Sequence, residues 1–305
     1  MMCSGRWRKD YLPLGRRAFL GASAALTLAG RGRAAADEVA LGEREDLRNL
    51  RVLDLEERGR RFLLVLPRWI QPYQRLPVAV LLHGLGETGD PRLGAYAWLD
   101  RYGLGSAWQR LKRAPVVPTV AARGEWTPAR LAAVNAELDA RPFRGFAIAT
   151  PHMPNPKGPA DLEAYADWIC GALLPRLRAE RNVSSDPSAT YLGGVSLGGF
   201  VGLEVLVRRP GIFAAFAGVQ TAIGAWSARG YAAKIAVEGV RAPTLLLTST
   251  QDTFRASSEA LATELAARKA PHELRVLPGP HDQPWLREAG TLELLHWLDR
   301  LAPDE

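Results

Sequence analysis

The stretch YLGGVSLGGF, Tyr191–Phe200, sets one serine, Ser196, among Gly193, Gly194, Gly198 and Gly199. Its centre, Gly194-Val195-Ser196-Leu197-Gly198, fits G-x-S-x-G. The run ATYLGGV before it is strand-like, and FVGLEVLVRR after it is helical. Strand, sharp turn and helix together form the setting in which such a serine stands exposed at the top of a sheet. Glycine on both sides suits a turn where neighbouring backbone leaves no room for side chains. A merely flexible Gly-rich turn needs neither the strand nor the helix. The pattern therefore predicts a strained turn that presents one hydroxyl.

A serine hydroxyl is a weak nucleophile without a base, and the base needs an acid to orient it. In this architecture both follow the serine, acid first, each after a later strand. PTLLLTSTQDTF places Asp252 just beyond an apolar strand, and ELRVLPGPHDQPW places His281 just beyond the next. The chain has five histidines. His83 precedes the serine, His152 follows a different strand, His272 opens a strand, and His296 lies on the expected buried face of the last helix. His281 alone ends the right strand. Asp282 adjoins His281, so its side chain is expected to point elsewhere, and Asp186 precedes the serine.

LLHGLGETGD, Leu81–Asp90, follows the first buried strand. His83-Gly84-Leu85-Gly86 offers a turn with little side-chain bulk. Two backbone N–H groups, those of Leu85 and Leu197, are expected to face an oxyanion there. His83, Gly84, Gly194 and Gly198 are supporting residues, and Glu87 and Asp90 belong to the loop or its rim. His152 and Met153, Gln220 and Thr221, and Trp285 follow strand ends and are candidates for the substrate pocket.

The rest of the chain sets the frame. LRVLDL and RRFLLVLP, joined at Glu56-Glu57-Arg58-Gly59, read as an antiparallel pair. VAVLLHG, FRGFAIATP, ATYLGGVS, FAAFAGVQ, PTLLLTST and ELRVLPG are apolar runs of the kind buried on both faces of a parallel sheet. Helical segments alternate with them, with SSEAL at 257–261 as a helix start. This predicts an α/β fold: a mostly parallel central sheet, helices on both faces, and an N-terminal antiparallel strand pair. The interval between Gly84 and Phe143 is too long for one crossover. It reads as one ordinary helix plus an insertion, roughly 86–142, near the strand ends where a partial lid would sit. Helices are expected around 107–113 and 127–141.

The N-terminus has a basic start, an apolar run from Ala18 to Leu28, and Ala34-Ala35-Ala36. These are the parts of an export signal, with cleavage expected before Asp37. The apolar run is shorter than the roughly 20 residues of a membrane span, so no stable anchor is expected after its removal. Residues 1–36 hold seven Arg or Lys and one acid. They account for six of the seven net positive charges, leaving no basic surface that argues for nucleic acid. Cys3 lies in that segment and Cys170 is then alone, expected in the core, so no disulfide scaffold is available. The sequence offers no H-E-x-x-H metal motif and no G-x-G-x-x-G after a strand, and no cofactor is expected.

Arg16-Arg17-Ala18-Phe19-Leu20 resembles a twin-arginine signal, with departures at Gly15 and Gly21. That resemblance implies passage through the twin-arginine export machinery and a periplasmic or secreted protein. From His83-Gly84 through Ser196 to Asp252 and His281, the chain resembles the α/β-hydrolase superfamily. It looks closest to secreted bacterial esterases of the polyhydroxybutyrate-depolymerase and feruloyl-esterase types. The resemblance implies acyl transfer to Ser196 from a small-molecule or polymer ester, with His281 as general base and acid and Asp252 orienting it. A peptidase or an acyltransferase shares these motifs, and a non-catalytic relative would share the fold.

Overall fold

The computed structural model describes residues 44–237, 240 and 242–301. The expected signal segment, residues 1–36, lies outside them. One eight-stranded sheet runs in the order β1-β2-β4-β3-β5-β6-β7-β8. β1 (Leu50–Glu57) and β2 (Arg60–Pro67) are antiparallel, and β2 joins the sheet through an antiparallel pairing with β4 (Ala147–Pro151). Arg58 and Gly59, both at positive φ, make the tight two-residue connection suited to a twisted hairpin. β3 (Val78–Leu82), β5 (Thr190–Val195), β6 (Ala215–Val219), β7 (Thr244–Gln251) and β8 (His272–Pro280) continue in parallel with β4. Every residue of β3, β4, β5 and β6 is buried, which explains the unbroken apolar runs in the sequence.

Side-chain alternation feeds two cores. On one face Ala79, Leu81, Tyr191 and Val195 pack with Trp98, Trp108 and Leu294. These come from α1 (Pro91–Asp100), α2 (Leu104–Lys112) and α9 (Thr291–Leu301). On the other face Val78, Val80 and Leu192 pack with residues of α4 (Pro159–Trp168), α6 (Leu197–Arg208), α7 (Ala228–Ile235) and α8 (Arg255–Ala267). Between these lie α3 (Pro128–Ala140) in the insertion and α5 (Leu174–Arg178), which follows a π-helical turn at Ile169–Leu173. β4 lies on one side of β3 and β5 on the other. Their carboxyl ends therefore open a crevice at β3, where open α/β sheets receive ligands.

Three expectations need correction. The interval 86–142 carries three helices, with α1 as the one unforeseen. Its start was legible: Asp90 caps the amides of Arg92 and Leu93, and Pro91 opens the helix, a standard pairing of signals. The helix at 257–261 begins earlier, at Arg255, with Phe254 at the cap position and no side-chain cap. Asp252 Oδ1 accepts from Phe254 N at 3.0 Å instead. Cys170 is half-buried within the π-helical turn rather than in the core, and burial raises its thiol pKa to about 11.

Much of the insertion is riveted to the C-terminal end of the chain. Glu288 accepts from Arg110 Nη2, Thr119 N, Thr119 Oγ1 and Trp126 Nε1 at 2.6–3.2 Å. Glu293, fully buried, takes both Arg130 and Arg275. Just past the insertion, Asp299 Oδ1 accepts the amides of Arg144 and Gly145. Opening this segment as a hinged lid would strip buried carboxylates of their partners, a change that costs several kcal/mol for each.

Candidate active site

Ser196 closes β5 and sits at the cap position of α6 with φ 54° and ψ −117°, a conformation that a residue with a side chain adopts only when its surroundings force it. The forcing bonds are visible. Ser196 N donates to Val219 O at 2.9 Å, and its carbonyl accepts from Ala222 N at 3.0 Å. A Cβ at Gly194 would fall 2.3 Å from Gly198 O, and one at Gly198 would fall 2.4 Å from Leu82 O. Both contacts are with backbone, so neither position accommodates a side chain. The Ser196 side chain makes no capping bond, which leaves its oxygen free for other use.

Asp252 and His281 follow β7 and β8, adjacent parallel strands whose ends pair, after a register shift past Ser249, with Gln251 opposite Pro280. His281 Nδ1 and Asp252 Oδ1 are 2.7 Å apart. Thr248 Oγ1 donates to Asp252 Oδ2 at 2.6 Å. Burial works against this carboxylate, but the hydrogen bonds from His281, Thr248 and Phe254 N outweigh it and hold its pKa below the usual value. Nδ1 then carries the proton that faces Asp252, and Nε2 is the basic nitrogen. The Phe254 ring stands edge-on to His281 with centroids 5.6 Å apart. Asp282 turns away as expected, accepting from Trp285 N and from both terminal nitrogens of Arg123. Among the described residues no hydrogen bond joins Ser196 Oγ to His281, a contact that in unliganded enzymes is often long.

The loop after β3 adjoins the serine. A Cβ at Gly84 would lie 3.9 Å from Ser196 Cβ. Leu85 opens a 3-10 turn, Leu85–Glu87, and Leu197 opens α6. First-turn N–H groups have no intrahelical acceptor, so both expected oxyanion donors are unspent, and Leu85 is 44 % exposed. His83 is wholly buried. Its Nε2 accepts from Met153 N and its Nδ1 meets Gly84 O, each at 2.8 Å. Burial lowers its pKa to about 4. A neutral ring with both nitrogens occupied supports the loop and transfers no proton. Gly94 of α1 makes this packing possible, since a Cβ there would meet His83 Nε2 at 2.6 Å. His152 stacks on His83 with centroids 5.8 Å apart, and its Nε2 lies 3.2 Å from Thr88 O.

Gln220 and Trp285, expected in the substrate pocket, are instead fully buried. Trp285 Nε1 donates to Pro278 O, and its ring lies beneath Gly279. Gln220 Nε2 donates to Ser249 Oγ at 2.8 Å and to Pro280 O at 3.0 Å. Gln220 is thus a crossbar between the end of β6 and the His281 loop, two residues from the Ala222 amide that holds Ser196. Thr221 is buried against Gly199. Met153 does line a cavity of about 270 Å³ beyond the carboxyl end of β4, with Arg60, Asn155, Lys157, Tyr165 and Val201. Sequence reasoning also missed Tyr102 and Arg123. Nothing local marks the contacts that tie them to the site, because Gly84 lies 18 residues from Tyr102 and Asp282 lies 159 from Arg123.

Among the described residues no group of three or more His, Cys, Asp or Glu is placed to hold a metal ion, and no helix is long and apolar enough to cross a membrane. Similar folds are known. A ferulic acid esterase matches with TM-score 0.60 at 15 % identity, covering 83 % of this chain and 98 % of its own. A feruloyl esterase module from Clostridium thermocellum, complexed with sinapinate, gives 0.60 at 14 %, covering 94 % and 99 %. An S-formylglutathione hydrolase from Staphylococcus aureus gives 0.52 at 14 %, covering 82 % and 96 %. At these identities the likeness is one of fold. No curated protein matches the sequence closely enough to count as a relative. The Esterase family, however, matches residues 55–289, which span all eight strands apart from the first residues of β1 and include the Ser196 turn, Asp252 and His281. The chain belongs to that family and is a carboxylic ester hydrolase with the α/β-hydrolase fold.

Proposed function

We propose that the chain cleaves carboxylic esters through an acyl-enzyme on Ser196, with His281 as general base and acid and Asp252 as its orienting partner. The observation that carries this reading is the 2.7 Å His281–Asp252 pairing at the same sheet edge as the strained Ser196 turn. His281 Nε2 removes the proton from Ser196 Oγ as the oxygen attacks the ester carbonyl. The carbonyl oxygen becomes an oxyanion facing the Leu85 and Leu197 amides, each worth a few kcal/mol to the transition state. The tetrahedral intermediate collapses, the C–O bond to the alcohol breaks, and His281 returns the proton to the leaving alkoxide. Water, deprotonated by His281, then attacks the acyl-enzyme; the acid leaves and Ser196 regains its proton. Asp252 stays ionised throughout and stabilises the imidazolium.

The substrate proposed is an ester of the hydroxycinnamoyl or hydroxyalkanoate kind, small or polymeric. The feruloyl esterase neighbours and the Phe254 ring beside His281 support it. The export reading stands beside it: passage through the twin-arginine machinery into the periplasm or medium, with the exported chain starting at Asp37, which N-terminal sequencing reads directly. The activity test pairs a fluorophosphonate label with a substrate panel. Wild type should label and Ser196→Ala should not; p-nitrophenyl esters and methyl ferulate should turn over, and aminoacyl amides should not. Equal labelling of the two proteins, or amide cleavage without ester cleavage, would overturn the proposal.

A further inference from the structure

Two buried groups behind the loop after β3 take no part in the acyl transfer proposed above. Tyr102, just past α1, accepts a hydrogen bond from Gly84 N at 3.0 Å and donates its own proton to Glu87 Oε2 at 2.5 Å. Glu87 belongs to the loop but is only 2 % exposed, and Arg101 Nη1 lies 3.5 Å from its other oxygen. A buried carboxylate close to a developing oxyanion works against it. The geometry gives this one a compensating use. An ionised carboxylate can only accept, so it draws the Tyr102 hydroxyl hydrogen to itself and leaves a lone pair facing Gly84 N–H. Burial and the Glu87 charge also hold the phenol pKa well above its usual value, so the hydroxyl keeps its proton.

These groups converge on one residue. A Cβ at Gly84 would meet Tyr102 Oη at 3.2 Å, Glu87 Oε2 at 3.4 Å and Ser196 Cβ at 3.9 Å. The Gly84 carbonyl is held at the same time by His83 Nδ1. The Gly84 N–H is therefore spent on Tyr102, which makes the next amide the free donor. Gly84 C=O and Leu85 N–H belong to one planar trans peptide and point in opposite directions. Fixing Gly84 at both polar atoms thus fixes the direction of the Leu85 N–H.

We propose that Tyr102, aimed by Glu87, is a positioning residue that sets the Leu85 amide as an oxyanion donor. The inference rests on the reading of Ser196 as nucleophile. Tyr102 is itself well placed to be rigid. Thr291 Oγ1 donates to its carbonyl at 2.6 Å, its ring stands edge-on to Trp98, and Gly103 after it adopts φ 73° hard against Arg287. The C-terminal helical region, the insertion and the loop are thereby linked at Tyr102, through its backbone carbonyl and its hydroxyl.

The test removes the hydroxyl and keeps the ring. Tyr102→Phe should lower kcat on a p-nitrophenyl ester by about 10- to 100-fold with KM within about twofold. Affinity for a trifluoromethyl ketone, whose adduct with Ser196 places an oxyanion in the hole, should fall by the same factor. Glu87→Ala should follow Tyr102→Phe, and Glu87→Gln should recover most of that loss, because an amide oxygen still accepts from Tyr102. A fluorophosphonate should still saturate Ser196 in every variant. Unchanged kcat and ketone affinity in Tyr102→Phe overturn the proposal, as does a kcat loss with unchanged ketone affinity or one that tracks only a lower Tm. Failure of the wild type to label at Ser196 sinks the nucleophile reading instead, and the two failures are told apart.

Discussion

Asp252 and Glu288 are both carboxylates with almost no exposed surface, 7 % and 4 %, yet they are partnered in opposite ways. Glu288 faces Arg110, a group that never loses its charge, with Thr119 and Trp126 filling its remaining acceptor sites. Asp252 faces His281, an imidazole whose Nδ1 lies 2.7 Å from its Oδ1, with Thr248 and one amide beside it. A permanent ion pair holds segments together. A carboxylate paired with an imidazole suits the proton transfer proposed above. The difference separates the insertion from the candidate site although both carboxylates are buried and hydrogen-bonded at both oxygens.

Removing the charge at each carboxylate sharpens the contrast most. Asp252→Asn should lower kcat/KM on an ester by about 10⁴-fold, because the amide favours the wrong His281 tautomer, while Tm stays near that of wild type. Glu288→Ala should do the reverse. It leaves Arg110 buried without its partner, and loss of one member of a buried pair costs about 3–5 kcal/mol of stability. Denaturant midpoints read this loss, and kcat/KM measured well below the new Tm should stay within about threefold of wild type. Similar losses from both substitutions in both measurements would mean that the two carboxylates are not divided in this way.

How far this division was legible in the sequence depends on the range of the interactions. The sheet was legible almost strand by strand, because fully buried parallel strands must be continuous apolar runs, and VAVLL, AIATP and TYLGGV are such runs. The placement of Ser196, Asp252 and His281 at the candidate site was legible because each is tied to a strand end, and strand ends can be counted. Gln220 and Trp285 were placed by the same rule and came out as a crossbar and a packing residue. The rule locates the backbone position at a strand end and leaves the side-chain direction open. At Gln220 the chain turns through φ 47° and sends the side chain inward. The Glu288, Glu293 and Tyr102 contacts join residues remote in sequence and follow no period, so no local pattern announces them.

Acid should separate the two regions in a second way. Burial depresses His83 to about 4 and His296 to about 3. Between those values and the unperturbed value near 6.5 the unfolded chain binds more protons than the folded one, so stability falls as pH drops through that window. The loss amounts to a few kcal/mol for each ring and levels off near pH 4 for His83. Asp252 acts lower and with the opposite charge type. Its depressed pKa contributes stability that is complete above the unfolded carboxylate value near 3.9 and is lost as pH falls through the folded value. Urea midpoints measured from pH 7 to 3 should therefore decline first in the histidine window. His296→Gln should flatten part of that decline and leave the Asp252 part unchanged. A flat profile between pH 6.5 and 4 would contradict the neutral, buried state of both rings.

The smallest expected effect lies where the two regions meet. Arg123, from the insertion, places both terminal nitrogens on Asp282 at 2.9 and 3.0 Å and its Nε on Glu125 at 3.0 Å, next to His281. The fork is well formed but exposed to solvent, with 44 % of the Arg123 side chain and 34 % of the Asp282 side chain accessible. Exposed pairs contribute at most about 1 kcal/mol and are screened by salt. The Arg123–Asp282 coupling, isolated from the buried Glu125 by a double-mutant cycle of Arg123→Gln and Asp282→Asn, should thus be no more than that, and it should shrink between 0.05 and about 1 M NaCl as the Debye length contracts. The His281 loop keeps its other ties, the Gln220 and Ser249 bonds to Pro280 O, so kcat/KM should change by less than about fivefold. A much larger loss of activity with unchanged stability would move Arg123 out of the scaffold and into the group of residues that position the imidazole.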